Sequence, residues 1–167
     1  MRENRVAESP VGHVAVKQRI SIQTEPFDAG VEQESLRSND PGIGALVTFV
    51  GLMRDMNAGE RVTAMYLEHY PGMTEKALEA IVVEAWRRWD LRGVRVLHRV
   101  GELRPLDPIV LVAVAGPHRG DAFRACEFII DYLKTRAPFW KRETTAQGTR
   151  WVEPRTSDRE AEARWRS

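Results

Sequence analysis

Two apolar segments separated by a turn-rich octet constrain the fold of this 167-residue chain more than any other feature. The segments VRVLHRV (94–100) and IVLVAVA (109–115) are rich in β-branched residues, which favour strands. Between them, GELRPLDP contains the glycine and prolines that are typical of a turn. The pattern therefore predicts two adjacent strands, and it favours an antiparallel pair.

Three further segments before residue 71 alternate or cluster apolar residues as strands do. QRISIQT (18–24) predicts a half-buried strand, and DAGVEQESLRSND after it indicates a short helix that ends in a turn. GALVTFVG (44–51) and VTAMYLEHY (62–70) are β-rich, and MNAGE (56–60) lies between them. We therefore expect these two runs to form a pair of strands joined by a turn.

Two helices are predicted from apolar residues that recur at spacings of three and four. The first begins at Thr74 as its N-cap and ends at Gly93. The second follows the 109–115 strand and ends before Pro138, which cannot continue a helix. Its predicted buried stripe consists of Phe123, Cys126, Ile129, Ile130 and Leu133.

The order of these elements predicts an α+β fold with a mostly antiparallel sheet and packed helices. The predicted helices follow paired strands instead of alternating with single strands, as they would in a doubly wound fold. The tail from Trp140 to Val152 adds a strand or a hairpin, with TAQGT as its turn. We expect residues 1–17 to be a flexible extension and residues 18–167 to be one domain.

Composition excludes several classes of protein. No apolar run approaches the roughly 20 residues that span a bilayer, and the N-terminus lacks a secretory signal, so we expect a cytoplasmic protein. The 25 basic and 24 acidic side chains give a net charge of +1, which argues against nucleic-acid binding. Cys126 is the single cysteine, so an internal disulfide and a cysteine-rich metal site are excluded.

The segment YLKTRAPFWKRE (132–143) is the strongest candidate for a functional site. It brings Lys134 and Lys141 to either side of a Pro-Phe-Trp corner. Aromatic walls and a second ammonium would lower a lysine pKa and produce a base or a nucleophile. The alternative for Lys134 is a surface ion pair with Asp131, three positions earlier on the helix.

Cationic residues at two loops are candidates for binding an anion. His118 and Arg119 lie where a strand meets a helix, and backbone N–H groups at a helix N-terminus favour anions. Arg54 follows the GALVTFVG strand, where a guanidinium can hold a phosphate. The alternative is that all three are ordinary solvated loop residues. We interpret His98 as a satisfied core or interface histidine and Cys126 as a buried small hydrophobe.

Taken together, these segments resemble the catalytic (large) subunit of molybdopterin synthase. The resemblance rests on GALVTFVGLMRD, LEHYPGMTEKALEAIV, HRVGEL, the HR of GPHRGDAF, and DYLKTRAPFWKRE followed by RWVE. They occur in family order across residues 18–166.

The resemblance implies an α/β-hammerhead fold and a homodimer within a heterotetramer. The partner is a small ubiquitin-like carrier whose C-terminal Gly-Gly thiocarboxylate enters a pocket of the large subunit. The reaction is transfer of two sulfurs to cyclic pyranopterin monophosphate (precursor Z), which gives molybdopterin for molybdenum cofactor biosynthesis. It requires neither a metal nor another cofactor in this chain.

The resemblance also implies the roles of eight residues. Lys134 lies beside the thiocarboxylate, and Lys141 positions and polarises the pterin. The substrate-binding residues are Arg54, His118, Arg119, Arg142, Glu143 and Arg155. The alternative hypothesis is a non-catalytic module that binds a phosphorylated metabolite or docks a ubiquitin-like protein.

Overall fold

The computed structural model describes residues 17–37 and 39–166. The predicted N-terminal extension lies outside this part of the chain, apart from Lys17, with which the first strand begins. The elements of the described residues follow in chain order: β1 (Lys17–Gln23), α1 (Ala29–Arg37), β2 (Ala45–Leu52), β3 (Met56–Asn57), β4 (Glu60–His69), α2 (Met73–Arg88), β5 (Gly93–Arg99), β6 (Gly101–Leu103), β7 (Pro108–Gly116), α3 (Arg119–Arg136), β8 (Phe139–Thr145), β9 (Gly148–Val152) and α4 (Thr156–Ala163).

The first sheet has four strands in the order β1-β5-β7-β2, with helices on both faces. Strands β5 and β7 are antiparallel neighbours, as the sequence predicted, whereas β1 joins β5 in parallel. Along β7, Val110, Val112 and Val114 pack in the cluster that contains α2 and α3. The alternate residues, such as Leu111, pack in the cluster that contains Leu36 of α1. A strand buried on both faces needs a continuous apolar run, which explains IVLVAVA.

The second sheet has five strands, and all its pairings are antiparallel. It follows the order β3-β4-β8-β9, and β6 also pairs with β4. The prediction that residues 44–51 pair with residues 62–70 is wrong, because β2 pairs with β7 in the first sheet. Both faces of β2 carry apolar residues that suit a doubly covered sheet, whereas β4 alternates buried and exposed residues and needs only one covered face.

The two long helices are confirmed, but some of their predicted details are wrong. Helix α2 has its N-cap at Gly72, and the Thr74 hydroxyl donates instead to the Tyr70 carbonyl at 3.0 Å. The helix ends at Arg88, five residues before Gly93. Phe123 is 60% exposed, so it lies outside the buried stripe of α3.

The predicted fold class, mostly antiparallel strand pairing and C-terminal hairpin are confirmed. The α+β class and the mostly antiparallel pairing are as expected, and β8 and β9 form the predicted C-terminal hairpin. Cys126 is buried, and burial raises the pKa of its thiol to about 12. Within residues 17–37 and 39–166, no helix is long and apolar enough to cross a membrane.

Candidate active site

A cleft of about 620 Å³ opens where the two sheets meet the C-terminal half of α3. Its floor and one wall are apolar and come mainly from β2, β7 and α3. The other wall is polar and comes from the end of β3, from β8, from the segment after β9 and from the first turn of α4. Of the eight residues predicted for the site, five line this cleft: Arg54, Lys134, Lys141, Glu143 and Arg155.

Lys134 enters the cleft from the last turn of α3. Its Nζ atom lies 3.6 Å from Oδ1 of Asp158 in α4, and its side chain is about half exposed. The alternative interpretation, an ion pair with Asp131 on the same helix, is wrong. Asp131 is buried and accepts hydrogen bonds from Arg164 at 2.9 Å and from Nε1 of Trp165 at 2.8 Å. Helix α4, which the sequence did not predict, supplies the partner of Lys134, and the two residues after the helix supply those of Asp131.

Lys141 enters the cleft from β8, on the same face of the strand as Phe139 and Glu143. Residues two apart on a strand share a face, so the spacing itself brings these three side chains to the cleft. The Nζ atom of Lys141 lies 3.3 Å from Oε1 of Glu143. The side chain of Glu143 is only 5% exposed, so this carboxylate is fixed by protein groups and not by water.

Glu143 connects Lys141 to Arg155 through a residue that the sequence analysis missed. The Nδ2 atom of Asn57 donates to both oxygens of Glu143, at 3.0 and 2.9 Å. Arg155 donates to Oδ1 of Asn57 at 2.6 Å. The sequence pattern assigns Asn57 only to the MNAGE turn. No local signal identifies it, since its partners lie 86 and 98 residues away in the chain.

Arg142 lies on the opposite face of β8 from Lys141. Its guanidinium sits 5.1 Å from the ring centre of Tyr66 and 5.4 Å from that of Trp151, the residues that face it across β4 and β9. These distances are within the range of cation–π attraction. Within one chain, Arg142 therefore braces the outer face of the sheet and does not line the cleft.

His118 and Arg119 lie at the other end of α3 from Lys134. His118 is the N-cap and Arg119 the first helical residue, and both are exposed. Lys134 follows Arg119 by 15 positions, which corresponds to roughly 22 Å along the helix at 1.5 Å per residue. One chain therefore does not bring this pair to the cleft, although it leaves both side chains free to meet another molecule.

The apolar wall of the cleft includes Phe49, Leu52 and Phe139. Phe139 stacks on His98 with ring centres 3.9 Å apart, and Nδ1 of His98 lies 2.7 Å from the Arg99 carbonyl oxygen. Because a carbonyl oxygen can only accept, Nδ1 carries the proton. Burial lowers the pKa of His98 to about 4, so the imidazole is neutral at physiological pH. The interpretation of His98 as a satisfied core histidine is confirmed.

The donor types around the cleft favour binding of an organic anion over binding of a metal ion. Arg54 and Arg155 offer guanidinium groups, and Lys134 and Lys141 offer ammonium groups. Across residues 17–37 and 39–166, no group of three or more His, Cys, Asp or Glu side chains is arranged to hold a metal ion. The arrangement suits a ligand that carries phosphate or carboxylate charge beside an apolar ring or tail.

Known proteins resemble this chain over most of its length. The family model described as "MoaE protein" matches residues 22–136. A molybdopterin synthase catalytic subunit from Ralstonia nicotianae is 60% identical over 146 residues, which cover 87% of this chain and 83% of that protein. A protein of the same name from Escherichia coli is 56% identical over 147 residues, which cover 88% of this chain and 97% of that protein.

Solved structures share the fold. The molybdopterin biosynthesis MoaE protein from Burkholderia ambifaria is 57% identical and superposes with a TM-score of 0.76, covering 90% of this chain and 97% of that one. Molybdopterin synthase from Staphylococcus aureus is 34% identical and superposes with a TM-score of 0.74, covering 79% of this chain and 95% of that one. These matches confirm the α/β-hammerhead fold and the resemblance inferred from the sequence. The chain belongs to the MoaE protein family.

Proposed function

We propose that the chain is the catalytic subunit of a molybdopterin synthase that transfers sulfur to cyclic pyranopterin monophosphate. The observation that carries the proposal is that Lys134 and Lys141, from different elements, open on one cleft in a chain closely similar to such subunits. The sulfur donor is the C-terminal thiocarboxylate of a small ubiquitin-like carrier. The reaction belongs to molybdenum cofactor biosynthesis, and we expect it to occur in the cytoplasm.

The partner subunit in this proposal has a structural parallel. A solved complex from Helicobacter pylori contains subunits 1 and 2 of molybdopterin-converting factor, and it shares the fold at 19% identity with a TM-score of 0.67. In our proposal the Gly-Gly tail of the carrier enters the cleft along the apolar wall formed by Phe49 and Leu52. Its thiocarboxylate would then lie beside Lys134.

Charge explains why the two lysines suit the chemistry. The thiocarboxylate sulfur bonds to the pterin, and water then cleaves the acyl–sulfur bond, which leaves sulfur on the pterin and a carboxylate on the carrier. This cleavage develops negative charge on the acyl oxygen and the departing sulfur, which positioned ammonium groups stabilise. In our proposal Lys134 assists transfer from the carrier, and Lys141 positions and polarises the pterin. Arg54 and Arg155 hold the anionic part of the substrate, and Glu143 fixes Lys141 at 3.3 Å.

His118 and Arg119 require a second copy of the chain if they hold the cyclic phosphate. We infer that a homodimer brings the N-terminus of α3 in one copy to the cleft of the other. Arg119 and the exposed Phe123 are four residues apart, so they share one face of the helix. An exposed phenylalanine beside a cation is a reasonable surface for a copy to cover. In the proposed homodimer, Arg142 has a structural role on the outer face of β8.

Reconstitution tests the proposed activity. The purified chain is mixed with a thiocarboxylated carrier and cyclic pyranopterin monophosphate, and molybdopterin is measured by fluorescence after oxidation. We expect product from the wild type, and loss of turnover with retained carrier binding for Lys134→Ala. A folded, carrier-binding wild type that forms no product would instead identify a docking module.

Mixing two inactive variants tests whether each cleft uses residues from both copies of the chain. Lys134→Ala and Arg119→Ala are expected to be inactive alone, because each removes a group from every cleft. When the two are unfolded together and reassembled, half of the dimers contain one of each chain, and one cleft in each such dimer is complete. We expect about a quarter of the wild-type rate to return. No recovery in verified mixed dimers would place both residues in the same chain's site or outside it.

A further inference from the structure

We propose that Asn57 is a positioning residue of the cleft, whose side-chain amide fixes Glu143 and Arg155 and, through Glu143, the ammonium of Lys141. The inference rests on the proposed function for its activity measurements. It adds a residue that lies outside the eight predicted from the sequence. Its basis is the hydrogen-bond geometry of the polar wall of the cleft.

The chemistry of its partners fixes the orientation of the Asn57 amide. Glu143 as a carboxylate only accepts hydrogen bonds, and the guanidinium of Arg155 only donates them. Nδ2 must therefore face Glu143, where it lies 3.0 and 2.9 Å from the two oxygens, and Oδ1 must face Arg155, at 2.6 Å. A side chain that were only an acceptor or only a donor would keep one of these two hydrogen bonds and lose the other.

Burial makes this contact important for Glu143. A carboxylate that is only 5% exposed has lost most of its water and depends on protein donors. Besides Asn57, the groups that face it are Lys141 at 3.3 Å and Arg150 at 3.8 Å. Both are cations on long stems, whereas Asn57 is short and holds both carboxylate oxygens. The amide is therefore the contact that sets the position of the carboxylate.

The backbone holds Asn57 in place. It ends β3 and faces Glu60 of β4 across a two-residue turn. The turn residues Ala58 and Gly59 have φ values of 51° and 81°, so both adopt the left-handed conformation of a tight hairpin turn. A short hairpin of this kind restricts the direction of the side chain at its end. Asn57 is thus a more rigid anchor than the lysine that it helps to place.

The variant Asn57→Asp separates the two halves of the contact. It keeps an acceptor for Arg155 and removes the donor to Glu143, so that two carboxylates face each other. We expect kcat to fall by about tenfold or more, since small displacements of a catalytic group are costly, while carrier affinity stays within about twofold. The matched control is Asn39→Asp, the same chemical change in an exposed turn, and it is expected to leave both parameters unchanged.

Acid is expected to restore part of the activity of Asn57→Asp. Two adjacent carboxylates share a proton more readily than one alone, and a shared proton re-creates the donor. The cations Lys141, Arg150 and Arg155 oppose this effect, so the recovery should be partial. The ratio of variant to wild-type turnover should therefore rise as pH falls from 8 to about 5.5. A ratio that does not change with pH contradicts the proposed hydrogen bond.

A reversed pair provides the decisive test. In the double variant Asn57→Asp with Glu143→Gln, the new amide donates to the new carboxylate, and its oxygen still accepts from Lys141. We expect turnover several-fold above that of Asn57→Asp alone. Turnover no better than the single variant, or a wild-type rate for Asn57→Asp at pH 7, overturns the inference.

A wild type without product would refute the proposed function. The contact is then tested by urea unfolding of the wild type, Asn57→Asp, Glu143→Gln and the double variant. Stability that returns in the double variant supports the positioning contact. Strictly additive losses overturn it.

Discussion

The two sheets of this protein differ in what fixes their side chains. In the first sheet, β7 is covered on both faces, and its apolar side chains need only neighbours of suitable size. In the second sheet, Lys141 lines the cleft beside Glu143, and Glu143 depends on Asn57, which lies 86 residues away in the chain. The first arrangement follows from local apolar pattern, whereas the second follows from contacts that form only when the whole domain has folded.

The largest expected effect that separates the sheets is on stability. Leu111→Ala removes a fully buried side chain from the α1 face of β7, away from the cleft. We expect the free energy of unfolding to fall by about 2–5 kcal/mol, from lost burial and the cavity that remains. Turnover per folded molecule should be unchanged. Urea unfolding and turnover corrected for the folded fraction measure the two effects, and a catalytic loss in the folded fraction would show that the sheets are not independent.

A smaller effect on stability is expected from the protonation of His98, which lies between the two sheets. The folded pKa is about 4 and the unfolded value is 6.5, so the unfolded chain binds a proton first as pH falls. The free energy of unfolding is therefore highest, as far as His98 is concerned, above pH 6.5. It falls by at most about 3 kcal/mol as pH falls towards 4. The measurement is urea unfolding between pH 7 and 4.5. His98→Asn, which keeps a donor for the Arg99 carbonyl, should show a smaller slope, and an equal slope would assign the effect to other groups.

The smallest expected effect concerns the pair Glu32–Arg95, which joins α1 to the first sheet. The hydrogen bond from Arg95 lowers the pKa of Glu32 below 4.5, with a smaller coulombic contribution from the same guanidinium. The pair therefore stabilises the fold above pH 4.5, and its contribution is lost as pH falls through the lower folded pKa. Glu32→Gln should be less stable than the wild type at pH 6, and the difference should shrink near pH 3. A constant difference would contradict an ionic role.

The parts of the structure that were predicted correctly from sequence are those with local signals. The β-branched runs at 94–100 and 109–115 identified β5 and β7, and the spacing of apolar residues identified α2 and α3. The partner of β2 was predicted wrongly, since a pattern shows that a strand is buried and not which strand adjoins it. The sequence also suggested both lysines of the site. It gave no sign of Asn57 or Asp158, whose roles arise from contacts across the fold.

Two residues, Phe123 and Arg142, lie on other faces of their elements than the sequence predicted. Phe123 fits the helical stripe by its spacing, yet it is 60% exposed. Arg142 lies within the most specific motif of the sequence, yet alternation along β8 directs it away from Lys141 and onto Tyr66 and Trp151. A motif identifies the segment that matters, whereas the strand geometry decides which of its residues reach the cleft.

Adjacent residues on β8 provide the most direct test of the cleft as the catalytic site. Lys141→Gln and Arg142→Gln make the same kind of change on opposite faces of one strand, and turnover is measured for both with carrier and cyclic pyranopterin monophosphate. We expect a loss of about 100-fold or more for Lys141→Gln. The loss for Arg142→Gln should be no more than about threefold, in keeping with a cation–π brace. Equal losses, or a larger loss for Arg142→Gln, would contradict the assignment of sulfur transfer to the cleft.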